Sequence, residues 1–75
     1  MLVNLKAEMA RKGIPPKKIA KFLGVKTQTV NDKLSGKYKF SFEHALAIRD
    51  EFFPDKKLEY LFKKNKEEFR ARQNA

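Results

Sequence analysis

The chain has 75 residues, 41% of them hydrophobic, and contains no cysteine. This length allows one small domain and excludes a multidomain enzyme, while the lack of cysteine excludes a disulfide framework and a thiolate zinc site. Apolar packing alone must therefore stabilise the fold. The longest apolar run, residues 45–48, is far shorter than the roughly 18 residues of a membrane span or the apolar core of a signal peptide. We therefore expect a cytoplasmic protein with no membrane partner.

Positive charge is concentrated in one part of the chain. Lysine and arginine number 18 against nine acidic residues, which gives a net charge of +9. Residues 15–39 carry a net charge of +6, whereas residues 40–62 carry −2. Such segregation predicts one basic surface and a polyanionic partner, with nucleic acid as the first candidate.

Three helices are predicted in the first half of the chain, because apolar residues recur there every three or four positions and each stretch ends at a glycine. Pro15 and Pro16 have a fixed φ and no N–H group, which suits the start of the second helix. The predicted helices cover about residues 2–12, residues 16–23 and a short stretch with Val30 and Leu34 facing inward, and they end at Gly13, Gly24 and Gly36.

Two further helices are predicted in the second half. Ser41 can cap a fourth helix that stops before Pro54, and Asp55 can cap a fifth. Their predicted inward residues are Phe42, Ala45, Leu46 and Phe52 in the fourth helix and Leu58, Leu61 and Phe62 in the fifth. The prediction is an all-α bundle of about five short helices over residues 1–62. Residues 63–75 form a basic extension, either helical or disordered.

The segment PKKIAKFLGVKTQTVNDKLSGK, residues 16–37, has the pattern of two short helices that cross steeply. Ala20 permits close contact, Gly24 permits a left-handed turn, and Val25 follows as an inward residue. The segment resembles the helix-turn-helix family of phage repressors and Cro proteins, and the resemblance covers about residues 2–62. It implies a lambda-repressor-like fold whose third helix enters the major groove of double-stranded DNA.

The same resemblance implies a transcriptional repressor in a phage or prophage switch, which binds a palindromic operator and needs neither a cofactor nor a small-molecule ligand. This chain departs from the family pattern at three positions. Pro16 replaces a phosphate-contacting glutamine, so Lys17 is expected to make that contact. Lys26 stands where a Ser or Thr cap is usual, which moves the helix start toward Thr27. Leu34, rather than Lys33, is the last inward residue.

If Val30 and Leu34 face the core, the helical angle of about 100° per residue turns Gln28, Asp32 and Ser35 outward. Glutamine can pair with adenine, and a threonine methyl can contact thymine. Asp32 can either accept a hydrogen bond from cytosine or orient Gln28 from one turn away. The expected base contacts are Thr27, Gln28, Asn31 and Asp32. The expected phosphate contacts are Lys17, Lys26, Thr29, Ser35, Lys37 and Lys39. For any single lysine, a solvated surface charge is the alternative.

The near-neutral region of residues 40–62 is the expected homodimer interface, because charge opposes self-association least there. Its candidate contacts are Phe52, Phe53, Tyr60 and Phe62, and Phe69 in the tail is a further one. Tyr38 and Phe40 could stack on single-stranded bases, but the favoured interpretation places Phe40 in the core and leaves Tyr38 half-buried.

No catalytic function is expected. His44 is the only histidine, and the acidic pairs 50–51 and 67–68 are consecutive, so their side chains diverge on a helix. Two other functions stay open. One is a protein-interaction module, such as an antirepressor or an antitoxin, built on the same fold. The other is binding of RNA or single strands through Tyr38 and the basic tail.

Overall fold

The computed structural model describes residues 1–63, which form five α-helices and no strand. The helices are α1 (Val3–Lys12), α2 (Pro16–Leu23), α3 (Thr27–Ser35), α4 (Phe42–Phe52) and α5 (Leu58–Leu61). The all-helical prediction is therefore confirmed for this part of the chain. The bounds of α2 are those predicted, and α1 begins one residue later than predicted because Leu2 is its N-cap.

A glycine turn joins α2 to α3. Gly24 has φ 74° and ψ 31°, in the left-handed region that residues with a Cβ adopt only with strain. This conformation lets the N–H of Val25 donate to the carbonyl of Ala20 at 3.0 Å and close the end of α2. Helix α3 then starts at once, and among the described helices α2 and α3 make the most extensive contact.

The core receives buried side chains from all five helices and the segments between them. Its members are Leu5, Met9, Ile14, Ile19, Ala20, Val30, Leu34, Ile48, Phe53 and Leu61. Helix α1 and its N-cap residue are hydrogen-bonded to three other parts of the fold. The bonds run from Leu2 N–H to Leu34 O (2.9 Å), from Asn4 Nδ2 to Tyr60 O (2.8 Å) and from Lys12 Nζ to Phe52 O (3.0 Å).

The cap of α4 agrees with the prediction, but the burial of the phenylalanines at its two ends does not. Ser41 caps the helix as expected, since its Oγ accepts a hydrogen bond from the N–H of His44 at 3.1 Å. Phe42, predicted to face inward, is 69% exposed, because it is the first helical residue and lies about 120° around the helix from the buried Ile48. Phe53, one residue past the helix, is fully buried instead.

Helix α5 is shorter and starts later than the sequence suggested. Its N-cap is Lys57 rather than the predicted Asp55, because the residues after α4 form a turn before the helix begins. The Asp55 carboxylate instead lies 3.5 Å from Lys12 Nζ. The helix ends at Leu61, so Phe62 lies just outside it and is half-buried. Its ring meets that of Phe40 edge-on, with the two ring centres 5.5 Å apart.

One charged side chain is buried within this bundle. Glu8 is 3% exposed, and its carboxylate accepts hydrogen bonds from the Tyr60 hydroxyl at 2.9 Å and from the Arg11 guanidinium. The bond from Tyr60 is the main reason why the pKa of Glu8 lies below its ordinary value of 4.5, and burial opposes the effect. The charged form of Glu8 is therefore the one that the fold stabilises.

Because the pKa of Glu8 is lowered, the free energy of unfolding should decrease as the pH falls into the acid range. Above pH 4.5 the carboxylate is charged in both the folded and unfolded states, and its contribution to stability is fully present. Below that pH the unfolded chain takes up the proton first, so the contribution is lost as the pH falls through the lowered pKa. We expect Glu8→Gln to flatten the acid side of a plot of the thermal unfolding midpoint against pH. Glu59→Gln, at an exposed position of α5, is the control, and equal acid slopes in both variants would contradict the assignment.

Candidate nucleic-acid interface

Helix α3 has one buried and one exposed side. Val30 and Leu34 are 0% and 3% exposed, as their spacing predicted, whereas Thr27, Gln28 and Asn31 are exposed. The helix begins at Thr27 with Lys26 as an extended N-cap residue. The three exposed polar side chains therefore lie on the part of α3 that points away from the core.

Asp32 holds Gln28 from one helical turn away. Gln28 Nε2 donates to Asp32 Oδ1 at 2.9 Å, and the Ser35 hydroxyl donates to the Asp32 carbonyl at the same distance. Asp32 is half-buried, while Gln28 and Ser35 are exposed. The orienting role that the sequence offered for Asp32 therefore has the required hydrogen bond. The bond engages one N–H of the Gln28 amide, and the amide oxygen is an acceptor on the same exposed side chain.

Exposed lysines lie at both ends of this surface. Lys17 is in the first turn of α2, Lys26 precedes α3, and Lys37 and Lys39 follow its end. Neither α2 nor α3 has a side-chain hydrogen bond at its N-cap, so the positive ends of both helix dipoles add to the lysine charges. Thr29 is half-buried and is the least accessible of the predicted phosphate contacts.

One cation beside α3 was missed from the sequence. Lys6 is exposed on α1 and lines a shallow groove of about 350 Å³ between α1 and α3. Asn31 and Ser35 line the same groove. The position of Lys6 next to Leu5 places it off the buried side of α1, but only the tertiary fold brings it to the same groove as Asn31.

Several aromatic side chains lie elsewhere than predicted. Tyr38 is 57% exposed rather than half-buried, and Phe40 packs against the core only in part. In the predicted dimer region, Phe53 is fully buried and therefore cannot contribute to an interface. Tyr60 is half-buried, and its hydroxyl donates to Glu8. Phe69 and the other residues of the predicted tail beyond residue 63 lie outside the described residues.

Residues 1–63 contain no group of three His, Cys, Asp or Glu side chains arranged to hold a metal ion. Within the same residues, no helix is both long and apolar enough to cross a membrane. Comparison with known proteins found no matching family model, no matching curated protein and no matching solved structure.

Proposed function

We propose that this chain is a sequence-specific transcriptional regulator that binds double-stranded DNA. In this proposal α2 and α3 form a helix-turn-helix and α3 enters the major groove, as the resemblance to phage repressors and Cro proteins implies. The observation that carries the proposal is the outward surface of α3. It presents Gln28 already hydrogen-bonded to Asp32, and it is flanked by lysines at both ends.

The exposed polar groups of α3 match what base edges offer. The Gln28 amide can donate to and accept from one adenine, and the Thr27 methyl can pack on a thymine methyl. Asn31 is a second amide on the same surface. Lys17, Lys26, Lys37 and Lys39 contact phosphates and set the position of α3 without specifying sequence.

One domain of this size contacts few base pairs, so tight selectivity requires two copies on a palindromic operator with half-sites one helical turn apart. The net charge of −2 over residues 40–62 still makes this region the proposed contact between copies. Its half-buried aromatic residues Phe52 and Tyr60 are the proposed contacts, while Phe62, also half-buried, packs edge-on to Phe40. Occupation of an operator that overlaps a promoter would repress transcription without any cofactor.

Selection from a randomised duplex pool tests this function. We expect the wild-type chain to enrich a palindrome, and Gln28→Ala to lose about tenfold of its discrimination at one base pair of each half-site. Val3→Ala, an exposed change on α1, is the control and should select the wild-type sequence. Recovery of no enriched sequence, with binding that disappears at moderate salt, would refute the proposal and favour a protein partner.

Asp32→Asn separates the two roles considered for Asp32. Asparagine keeps an acceptor for the Gln28 amide but removes the negative charge. If Asp32 only orients Gln28, this variant selects the wild-type sequence and binds DNA more tightly, because repulsion from phosphates is relieved. A changed preference at a second base pair would instead assign Asp32 to direct contact with a base.

A further inference from the structure

A second surface of the molecule joins exposed aromatic side chains to lysines. It is a groove of about 580 Å³ bordered by the end of α3, the loop that follows it, the first turn of α4 and α5. Large hydrophobic side chains are exposed at five described positions, and three of them, Met1, Tyr38 and Phe42, line this groove. Isolated exposed hydrophobic residues are ordinary, but a cluster in a concave surface marks a binding site.

The base of the groove is apolar. Phe40 and Phe62 meet edge-to-face at 5.5 Å, and Leu58 and Ala45 lie beside them. Phe42, 69% exposed at the start of α4, extends this surface outward. The groove therefore offers a large apolar side chain of a partner several aromatic contacts at once.

The rim of the groove is positively charged. It contains Lys33, Lys37 and Lys39 against the single acid Glu59. The Lys33 ammonium lies 5.7 Å from the centre of the Phe40 ring, and the Lys37 ammonium lies 5.7 Å from that of Tyr38. A carboxylate on a bound partner would meet these ammonium groups directly beside the aromatic surface.

We propose that this groove binds an acidic peptide segment of another protein, with a large apolar side chain seated on Phe40, Phe42 and Phe62 and carboxylates on Lys33, Lys37 and Lys39. Charge decides between the possible occupants. Residues 64–75 carry a net charge of +2 and a second copy carries +9 overall, so neither complements the rim, and the proposed contact between copies uses Phe52 and Tyr60, which do not line this groove. An acidic segment is the partner whose charge complements it.

One consequence rests on the proposed function. Lys37 and Lys39 belong both to this rim and to the proposed phosphate contacts, so an acidic segment in the groove neutralises lysines that DNA needs. Partner binding and DNA binding would then oppose each other, and the affinity for each would fall by the same factor when the other is bound.

Peptide binding is measured first in the absence of DNA, so its outcome does not depend on the DNA proposal. The probe is a short fluorescein-labelled peptide with phenylalanines placed among glutamates. The control peptide has serine at the phenylalanine positions. Fluorescence anisotropy with the full chain should show binding at least about tenfold tighter for the phenylalanine peptide. Equal binding of the two peptides would overturn the proposal, since only charge would then be recognised.

Two pairs of variants locate the site. Phe42→Ser should weaken peptide binding by about tenfold or more, whereas Val3→Ser, exposed on α1 outside the groove, should not. Lys33→Glu should weaken it more than Lys21→Glu, which makes the same change in net charge on α2 away from the groove. Because Phe42 and Val3 are exposed, these variants should fold, and circular dichroism checks this. Equal effects within either pair would contradict the assignment.

Other occupants give other outcomes, each of which overturns the proposal. An oligothymidylate that binds in a Phe42-dependent way, while the peptide does not, would make the groove a base-stacking site. A wild-type dimer that Phe42→Ser converts to a monomer, with no peptide binding, would assign the groove to a second copy. No peptide binding by the wild-type full chain, with binding that appears only after Phe69→Ser, would assign it to the C-terminal segment of the chain itself.

Discussion

Phe53→Ala is expected to lower the free energy of unfolding by about 3 to 5 kcal/mol, the range for removing a buried phenylalanine ring. The ring is fully buried in the core, and the Lys12 ammonium lies 5.2 Å from its centre. A folded unit of this size has a total stability of only about 3 to 9 kcal/mol. The variant should therefore be largely unfolded on mild heating, as measured by circular dichroism in urea and thermal titrations.

Phe42→Ala is the matched control, since it removes the same ring from the opposite end of α4. Phe42 is 69% exposed, so its loss should change the unfolding free energy by no more than about 0.5 kcal/mol. Similar losses of stability in both variants would contradict the described packing of α4. A larger loss at Phe42 would restore the prediction made from the sequence, in which Phe42 faces the core.

Replacement of Lys17 and Lys26 together by alanine should weaken binding to duplex DNA about 30-fold at about 0.15 M salt. The plot of the logarithm of the binding constant against the logarithm of salt concentration should become shallower by about 1.8, since each phosphate contact contributes about 0.9 to the slope. Both lysines are exposed at the starts of helices, and neither lines the aromatic groove. The measurement is electrophoretic retardation or anisotropy across a salt series.

The control is Lys57→Ala with Lys63→Ala, which lowers the net charge equally at the other end of the described chain. Both of these lysines are exposed. If DNA binds through the surface around α3, the control should keep an affinity close to that of the wild type. Equal losses of affinity in both double variants would show that net charge alone attracts DNA. The assignment of the DNA interface to the surface around α3 would then be wrong.

The sequence predicted the helices well because their signals are local. Glycines end three helices, Pro15 and Pro16 are the N-cap and first residue of α2, and Ser41 caps α4, so each boundary depends on residues close to it. The hydrogen bond between Gln28 and Asp32 could be anticipated for the same reason, since the two residues are one helical turn apart.

The errors came from contacts between distant parts of the chain. Glu8 lies next to Met9 on a helix with a clear apolar stripe, but nothing nearby shows that its partner is the Tyr60 hydroxyl, 52 residues away. Phe53 lies beyond the last helical residue, where helical periodicity gives no direction for a side chain. The aromatic groove likewise exists only because the segment after α3 packs beside α5.

The bonds between α1 and α5 determine when this fold can be completed on the ribosome. Helices α2 and α3 are neighbours in the chain and can pack as soon as both have emerged. Helix α1 emerges first, but the hydrogen bonds that join Asn4 and Glu8 to Tyr60 cannot form until Tyr60 follows near the end of the described chain. During synthesis, the hydrogen bonds that attach α1 to Tyr60 therefore form only after α5 has left the exit tunnel.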